Sequence, residues 1–245
     1  MRRQPSGASV CLAALGCAAG SCQSVDDQNA QAAPVTEERL SEFDQAFNPS
    51  SVELRLVRVY GPTPLREAQS QSDQSSFLLA VNAGFFDAEV RPIGLAASGE
   101  SQLTAFDASL GGGIVWTANG VAHLTAAEDW REPIRGLRTF DLALQSRPRL
   151  IVNSRNNIRR DDDIKAARTA VCLRKGGREL VFVRRAAESG FGGPSLHALA
   201  AELLTMGCEE ALNLDGGPSA GWGSVDGTWA EPRTPIAMVL VVEKN

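Results

Sequence analysis

The stretch SLHALAAELLTMGCEEALNLDGGPS, Ser195 to Ser219, decides how the rest of the chain is read. Ser195 is an N-cap residue type, whose hydroxyl accepts from a backbone N–H that the first helical turn leaves unpaired. Leu196, Leu199, Ala200, Leu203 and Leu204 then form one apolar stripe at helical spacing. Gly207 is the expected stop, since glycine takes the left-handed conformation that ends a helix without a Cβ penalty. The run EALNL (210–214) has strand length and stops at Asp215, followed by Gly216 and Gly217. A carboxylate at a strand end stands at the rim of a sheet, where binding and catalytic groups collect. Glycines after it permit φ > 0 and a close approach of ligand to backbone. Asp-Gly is also a common turn pair, so Asp215 either caps a turn or serves a site. Asn213, two positions earlier, points to the same side of the strand, which favours a shared polar site.

The segment Gly217-Pro218-Ser219-Ala220-Gly221 has the G-x-S-x-G form of a nucleophile elbow. In α/β-hydrolases the base histidine follows the serine in the chain. The two histidines here, His123 and His197, both precede Ser219, which excludes that order.

Outward from this stretch, the segments 51–60, 77–82, 113–118, 121–124, 140–144, 148–152, 169–173, 179–183 and 236–243 alternate or run apolar at strand length. Asn119-Gly120 and Gly176-Gly177 read as tight hairpin turns. A second, weaker helix is expected around VTEERLSEFDQAF (35–47). Many strands with few helices give an α+β fold, a single domain of antiparallel or mixed β-sheet.

Of the 245 residues, 43% are hydrophobic and 22% charged, an ordinary globular composition. A net charge of -5 offers no basic footprint for nucleic acid. MRRQPSG followed by ASVCLAALGCAAGSC reads as the n-region and h-region of an export signal over residues 1–22. Cys17 and Cys22 follow small residues, as in a lipoprotein signal, with Cys22 preferred. The alternative is an ordinary cleaved signal. Residues 23–38 are polar and aperiodic and read as a tether, leaving 39–245 as the folded domain of a periplasmic or membrane-anchored protein. Buried free thiols are expected at Cys172 and Cys208, with a disulfide as the alternative. No Cys/His cluster suggests a metal, and no motif suggests a cofactor.

Five blocks in order resemble the phosphodiester glycosidase superfamily: VNAGFFDAEVRPIGL (81–95), FDLALQSRPRLIVNS (140–154), ARTAVCL (167–173), the opening stretch, and EPRTPIAMVLVV (231–242). The bacterial branch of that superfamily consists largely of exported proteins. Three positions depart from its pattern. Arg147 replaces the glycine of the Gln-Ser-Gly-Pro strand, RRAAESG (184–190) replaces an Asp-Gly-Arg after the central hairpin, and Pro218 replaces the third glycine of the turn.

The resemblance implies hydrolysis of a sugar 1-phosphodiester. Phosphate is a good leaving group, so a strong general acid is less necessary than in ordinary glycosidases, but a carboxylate near the anomeric carbon is required. Asp215 is the first candidate, and Asp87 and Glu188 are second carboxylates. Arg168 is a candidate phosphate fork, or else a salt-bridge partner of Asp215 or Asp163. Asn82 either binds sugar hydroxyls or fixes its own turn. Asn213, Gly216, Gly217 and Ser219 complete the substrate-binding set, with Ser219 donating to phosphate beside the turn amides. Phe85 and Phe86 either wall a sugar pocket or pack in the core. The competing reading is a non-catalytic envelope lipoprotein that binds glycans or wall polymers with the same pocket.

Overall fold

The computed structural model describes residues 42–131, 140–187 and 192–245. The expectations for the signal segment, the tether and Glu188 fall outside the described residues. Along the chain the strands are β1 (Glu42–Phe47), β2 (Val52–Arg58), β3 (Phe77–Asn82), β4 (Ala96–Ser98), β5 (Ser101–Thr104), β6 (Gly113–Ala118), β7 (Val121–Ala126), β8 (Leu142–Ser146), β9 (Arg149–Val152), β10 (Arg155–Asn156), β11 (Arg168–Arg174), β12 (Glu179–Arg185), β13 (Glu210–Asn213), β14 (Trp222–Ser224), β15 (Trp229–Ala230) and β16 (Met238–Lys244). The helices are α1 (Pro64–Ser70) and α2 (Leu196–Thr205). The fold is α+β, built from antiparallel sheets with few helices.

The strands form three sheets, ordered β1-β12-β11-β13-β9-β10, β15-β14-β3-β16-β2 and β5-β4-β8-β6-β7. One core lies among all three. Phe182 and Leu212 reach it from the first sheet, Leu79 and Leu240 from the second, and Val115 and Leu144 from the third. Two further cores explain why the central strands read as unbroken apolar runs. In β11, Val171 and Leu173 face the shared core, while Ala170 and Cys172 face Leu199, Ala200 and Leu203 of α2. In β16, Leu240 and Val242 face the shared core, while Val239 and Val241 lie with Leu65 and Ala68 of α1. A strand covered on both faces has no solvent side to place polar residues on.

Helix α2 has the expected ends. Ser195 Oγ accepts from the Ala198 N–H at 3.2 Å, and Gly207 has φ +81. Both hairpin turns form. Asn119 and Gly120 have positive φ between β6 and β7, as do Lys175, Gly176 and Gly177 between β11 and β12.

The expected helix at 35–47 is corrected over its described part, Glu42–Phe47, which is β1, paired antiparallel with β12. The spacing of Leu40, Phe43 and Phe47 imitates a helical stripe. The alternation that prevails places Phe43 and Phe47 in the core and leaves Glu42, Asp44 and Ala46 exposed. Phe43 stacks on Trp222 at 4.3 Å between ring centroids. Arg185 of β12 bonds Asp44 of β1 and Glu202 of α2, each at 2.6 Å. These contacts dock the strand.

Helix α1 has no counterpart in the sequence reading. It is short and offers only Leu65 and Ala68 as buried apolar side chains beside Pro64. Its first free N–H groups, of Leu65 and Arg66, are satisfied by the Glu231 carboxylate, each at 3.1 Å, from 166 and 165 residues away.

The thiol expectation is also corrected. Cys172 and Cys208 form a disulfide, with Cα atoms 5.6 Å apart. The pairing of Cys172 with Ala211 across β11 and β13, together with the turn at Gly207, brings Cys208 over the outer face of β11. The bridge spans a sequence separation of 36. Closing a loop of that size in the unfolded chain contributes roughly 4 kcal/mol. Reduction, or Cys208→Ser, is expected to lower the thermal midpoint by several degrees, read by circular dichroism with and without reductant. An unchanged midpoint on reduction would show that the bridge contributes nothing to stability.

Candidate active site

The ends of β11 and β13 and the β8–β9 link meet around a cavity of about 420 Å³, lined among others by Phe85, Arg147, Arg168, Asn213, Asp215, Gly216 and Gly217. The positions of these groups follow from sheet register. β13 lies between β11 and β9, with Asn213 opposite Ala170. The Asn213 N–H donates to Pro148 O at 3.0 Å and the Leu214 N–H to Thr169 O at 2.8 Å. The Asp215 N–H then leaves this sheet and donates to Ala83 O at 3.1 Å, just past β3 of the second sheet. Asp215 therefore stands on the seam between two sheets, held by backbone from both.

Asn82 secures that seam from behind. Its Nδ2 donates to Asp215 O at 2.6 Å, and its Oδ1 accepts from Thr169 Oγ1 at 2.8 Å and from the Gly221 N–H at 3.0 Å. It is 1% exposed and does not line the cavity. Of its two sequence readings, the structure gives the turn-fixing one. Thr169 of the Arg-Thr-Ala block is the donor in that contact.

The Asp215 carboxylate is partly buried. Burial pushes its pKa above the ordinary carboxylate value, opposed by hydrogen bonds from the Ser219 hydroxyl and the Gly216 N–H. The Gly216 bond to Oδ1 is 2.8 Å. The turn amides are thus already used. Gly216 N–H serves Asp215, and Gly217 N–H donates to Ala167 O at 2.7 Å. The expectation that Ser219 and the turn amides bind phosphate is corrected accordingly, because their donors point back into the protein.

The glycines are required by space and conformation. A Cβ at Gly216 would lie 2.8 Å from Ala167 O, whereas Gly217 has φ +60 with nothing within 4 Å of a Cβ. The backbone that approaches Gly216 closely is the protein's own.

Arg168 opens β11 beside Asp215 without an ion pair to it or to Asp163, which pairs with Lys165 at 2.9 Å. Its Nη2 donates to Ile164 O at 2.8 Å and its Nε to Pro194 O at 3.3 Å. Burial lowers its pKa, opposed by the charge of Asp162. Two backbone carbonyls thus hold the guanidinium in place while its Nη1 has no partner among the described residues.

Asn213 is 5% exposed. Its Nδ2 donates to Arg147 O at 2.9 Å and to Leu214 O at 2.6 Å, while its buried Oδ1 accepts from no group among the described residues. An unmet buried acceptor is costly, and this one belongs to a residue of the cavity wall. Ser146 and Gln145 of the Gln-Ser pair are structural. Ser146 Oγ donates to Asn213 O at 2.6 Å, and the Gln145 amide joins Leu95, Asp107 and Gly111 backbone groups.

Two expected members stand elsewhere. Asp87 accepts from the backbone N–H groups of Glu89 and Arg91 and pairs with the Arg91 guanidinium at 2.8 Å, which holds its pKa low. It organises its own turn and does not line the cavity. Phe86 packs against two of the cores, and only Phe85 walls the cavity. His123 stacks on Trp116 at 4.2 Å, and neither histidine lines the cavity beside Ser219. Arg147 was visible in the sequence only as a departure at a glycine position; its place in the cavity wall comes from the structure.

The phosphodiester glycosidase family model matches residues 75–243. A crystal structure of a hypothetical protein from Synechocystis superposes with a TM-score of 0.60 at 15% identity, covering 83% of this chain and 59% of that one. The zebrafish N-acetylglucosamine-1-phosphodiester alpha-N-acetylglucosaminidase catalytic domain, auto-inhibited by its pro-peptide, superposes with a TM-score of 0.61 at 16% identity, covering 83% of this chain and 84% of that one. At these identities the two structures show a shared fold. No curated protein matches the chain. The family match extends from the start of β3 into β16 and includes every cavity-lining residue named above, and the chain belongs to the phosphodiester glycosidase family.

Proposed function

We propose that this protein is an exported hydrolase that cleaves the glycosidic bond of a sugar 1-phosphodiester. The observation that carries this reading is the cavity wall itself. A carboxylate with a raised pKa, Asp215, shares it with a held guanidinium, Arg168. Arg168 Nη1 binds the phosphate, as a planar cation with free donors does. The bond from anomeric carbon to phosphate oxygen breaks with its electrons staying on phosphate, and positive charge develops on the sugar beside Asp215. Water adds to the anomeric carbon and its proton passes to Asp215 and on to solvent, so a free sugar and a phosphate monoester result. The phosphate leaving group needs no strong acid, so the one carboxylate among the described residues of the wall suffices. Export rests on the n-region, apolar segment and small-residue cysteine sites of residues 1–22.

The test is a panel of sugar 1-phosphodiesters with the secreted chain, following release of sugar and phosphomonoester by NMR. Turnover of at least one is expected. Binding of the panel without turnover would favour the glycan-binding reading. Ser219→Ala removes a hydrogen bond that lowers the Asp215 pKa. The acid limb of the kcat/KM profile is therefore expected to move to higher pH, with less than about tenfold loss on the plateau. A well-folded but dead Ser219→Ala beside an active Asp215→Asn would revive serine hydrolysis.

A further inference from the structure

Arg147 is the cation of the cavity wall that the reaction above does not use. Its backbone is pinned on both sides. Its carbonyl accepts from Asn213 Nδ2 at 2.9 Å, and the next carbonyl, Pro148 O, accepts from the Asn213 N–H at 3.0 Å. On the other side Gly112 packs so closely that a Cβ there would come within 2.6 Å of Arg147 Cβ. The side chain, by contrast, is exposed, and its guanidinium makes no hydrogen bond or ion pair among the described residues. Arg168 differs, since two of its donors are spent on Ile164 and Pro194 carbonyls and Asp162 acts on its charge. A rigid base carrying a free planar fork at a cavity is an anion-recognition arrangement. The protein as a whole carries a net charge of -5, so this local excess of positive charge is not a general property of its surface.

Resting on the glycosidase reading, the charges in the wall divide by role. Asp215 answers the cation that develops on the sugar, and Arg168 answers the phosphodiester. Arg147 remains unmatched. We propose that the aglycone of the substrate carries a second anionic group, phosphate or carboxylate, placed beyond the phosphodiester, and that Arg147 selects for it. The natural substrate would then be a sugar joined to a polyanionic leaving portion, such as a phosphate-bearing chain, in place of a sugar phosphodiester with a neutral alcohol.

The experiment separates this proposal from the glycosidase reading by measuring binding of leaving-portion probes without any sugar. Methyl phosphate and ethylene glycol bisphosphate are titrated calorimetrically into the full chain, its Arg147→Gly variant and its Arg147→Glu variant, with melting curves as the folding check. The wild type is expected to bind the bisphosphate about tenfold or more tightly than the monoester, as an additional charge-assisted hydrogen bond allows. The preference should fall to within about twofold in Arg147→Gly and vanish or invert in Arg147→Glu. Equal binding of the two probes by the wild type, or a preference that survives both substitutions, overturns the proposal. A parallel loss on both probes also overturns it, since that would place Arg147 on the shared phosphate. A bisphosphate preference lost with Arg147, in a protein that releases no sugar from any diester, would uphold anion selection and sink the glycosidase reading alone.

Discussion

Asp215→Asn is expected to lower kcat/KM for a sugar 1-phosphodiester by roughly 10²-fold or more, the scale at which a positioned acid–base or charge-stabilising group acts. The substitution keeps the size of the side chain and an oxygen for the Gly216 N–H, which now donates to Oδ1 at 2.8 Å. The charge is lost, and one of the two acceptor oxygens becomes an N–H donor. Its effect on folding has the opposite sign. Burial raises the Asp215 pKa above the ordinary 3.8, so ionising this group costs folding free energy. That cost is absent at pH below the unfolded-state value and complete above the raised folded-state value. Asp215→Asn should therefore melt at a higher temperature than the wild type near neutral pH, and this advantage should vanish in acid. The same pKa places the acid limb of the wild-type activity profile above the range of an exposed aspartate. Rates on the two proteins and melts at pH 7 and pH 3 test both halves. A loss of only a few fold would remove Asp215 from the chemistry. A variant less stable than wild type at neutral pH would mean that the Ser219 and Gly216 hydrogen bonds outweigh the cost of burial.

The second large effect lies behind the cavity. Asn82→Ala removes a side chain that donates to Asp215 O and accepts from Thr169 Oγ1 and the Gly221 N–H, all in a position 1% exposed. Each stranded partner costs about 1–3 kcal/mol, partly relieved where water enters. The expected destabilisation is roughly 4 kcal/mol. Activity should fall too, because Asp215 loses one of its two bonds to the second sheet and keeps only that of its N–H to Ala83 O. Asn82→Asp is the second variant, since it retains the acceptor for Thr169 and Gly221 but replaces the donor to Asp215 O with a buried carboxylate oxygen, and it should be destabilised as well. Denaturant unfolding of both variants, with kinetics on whatever remains folded, reads the result. If Asn82→Ala is as stable as wild type yet inactive, Asn82 touches the substrate and its assignment as a positioning residue is wrong.

Several elements were legible because their cause is local. The helix of residues 196–205 needs only Ser195, the leucine stripe and Gly207, all within one window of sequence. Strands β3, β6 and β12 announce themselves by apolar runs bounded by turn residues, and the hairpin at Asn119-Gly120 by residues that tolerate positive φ. The place of Asp215 at a strand end was equally visible, as was the shared side of Asn213. Leu40, Phe43 and Phe47 show how local reading errs. The same three residues satisfy a helical spacing and, from Phe43 onward, an alternating one, and the open edge of β12 decides between them.

The amino-acid sequence by itself determined the strand-rich architecture, the α2 helix, the family blocks and the carboxylate at the end of β13. Only the tertiary structure decided what each polar group does. It assigned Asn82 to Asp215 across 133 residues, Glu231 to the start of α1, and Cys208 to Cys172. It also turned the glycine-loop amides inward and set Arg147 beside Arg168 in one wall. The reason is physical. Backbone periodicity is enforced by neighbours a few residues away, whereas a hydrogen bond or a charge finds its partner only after distant strands have taken their register.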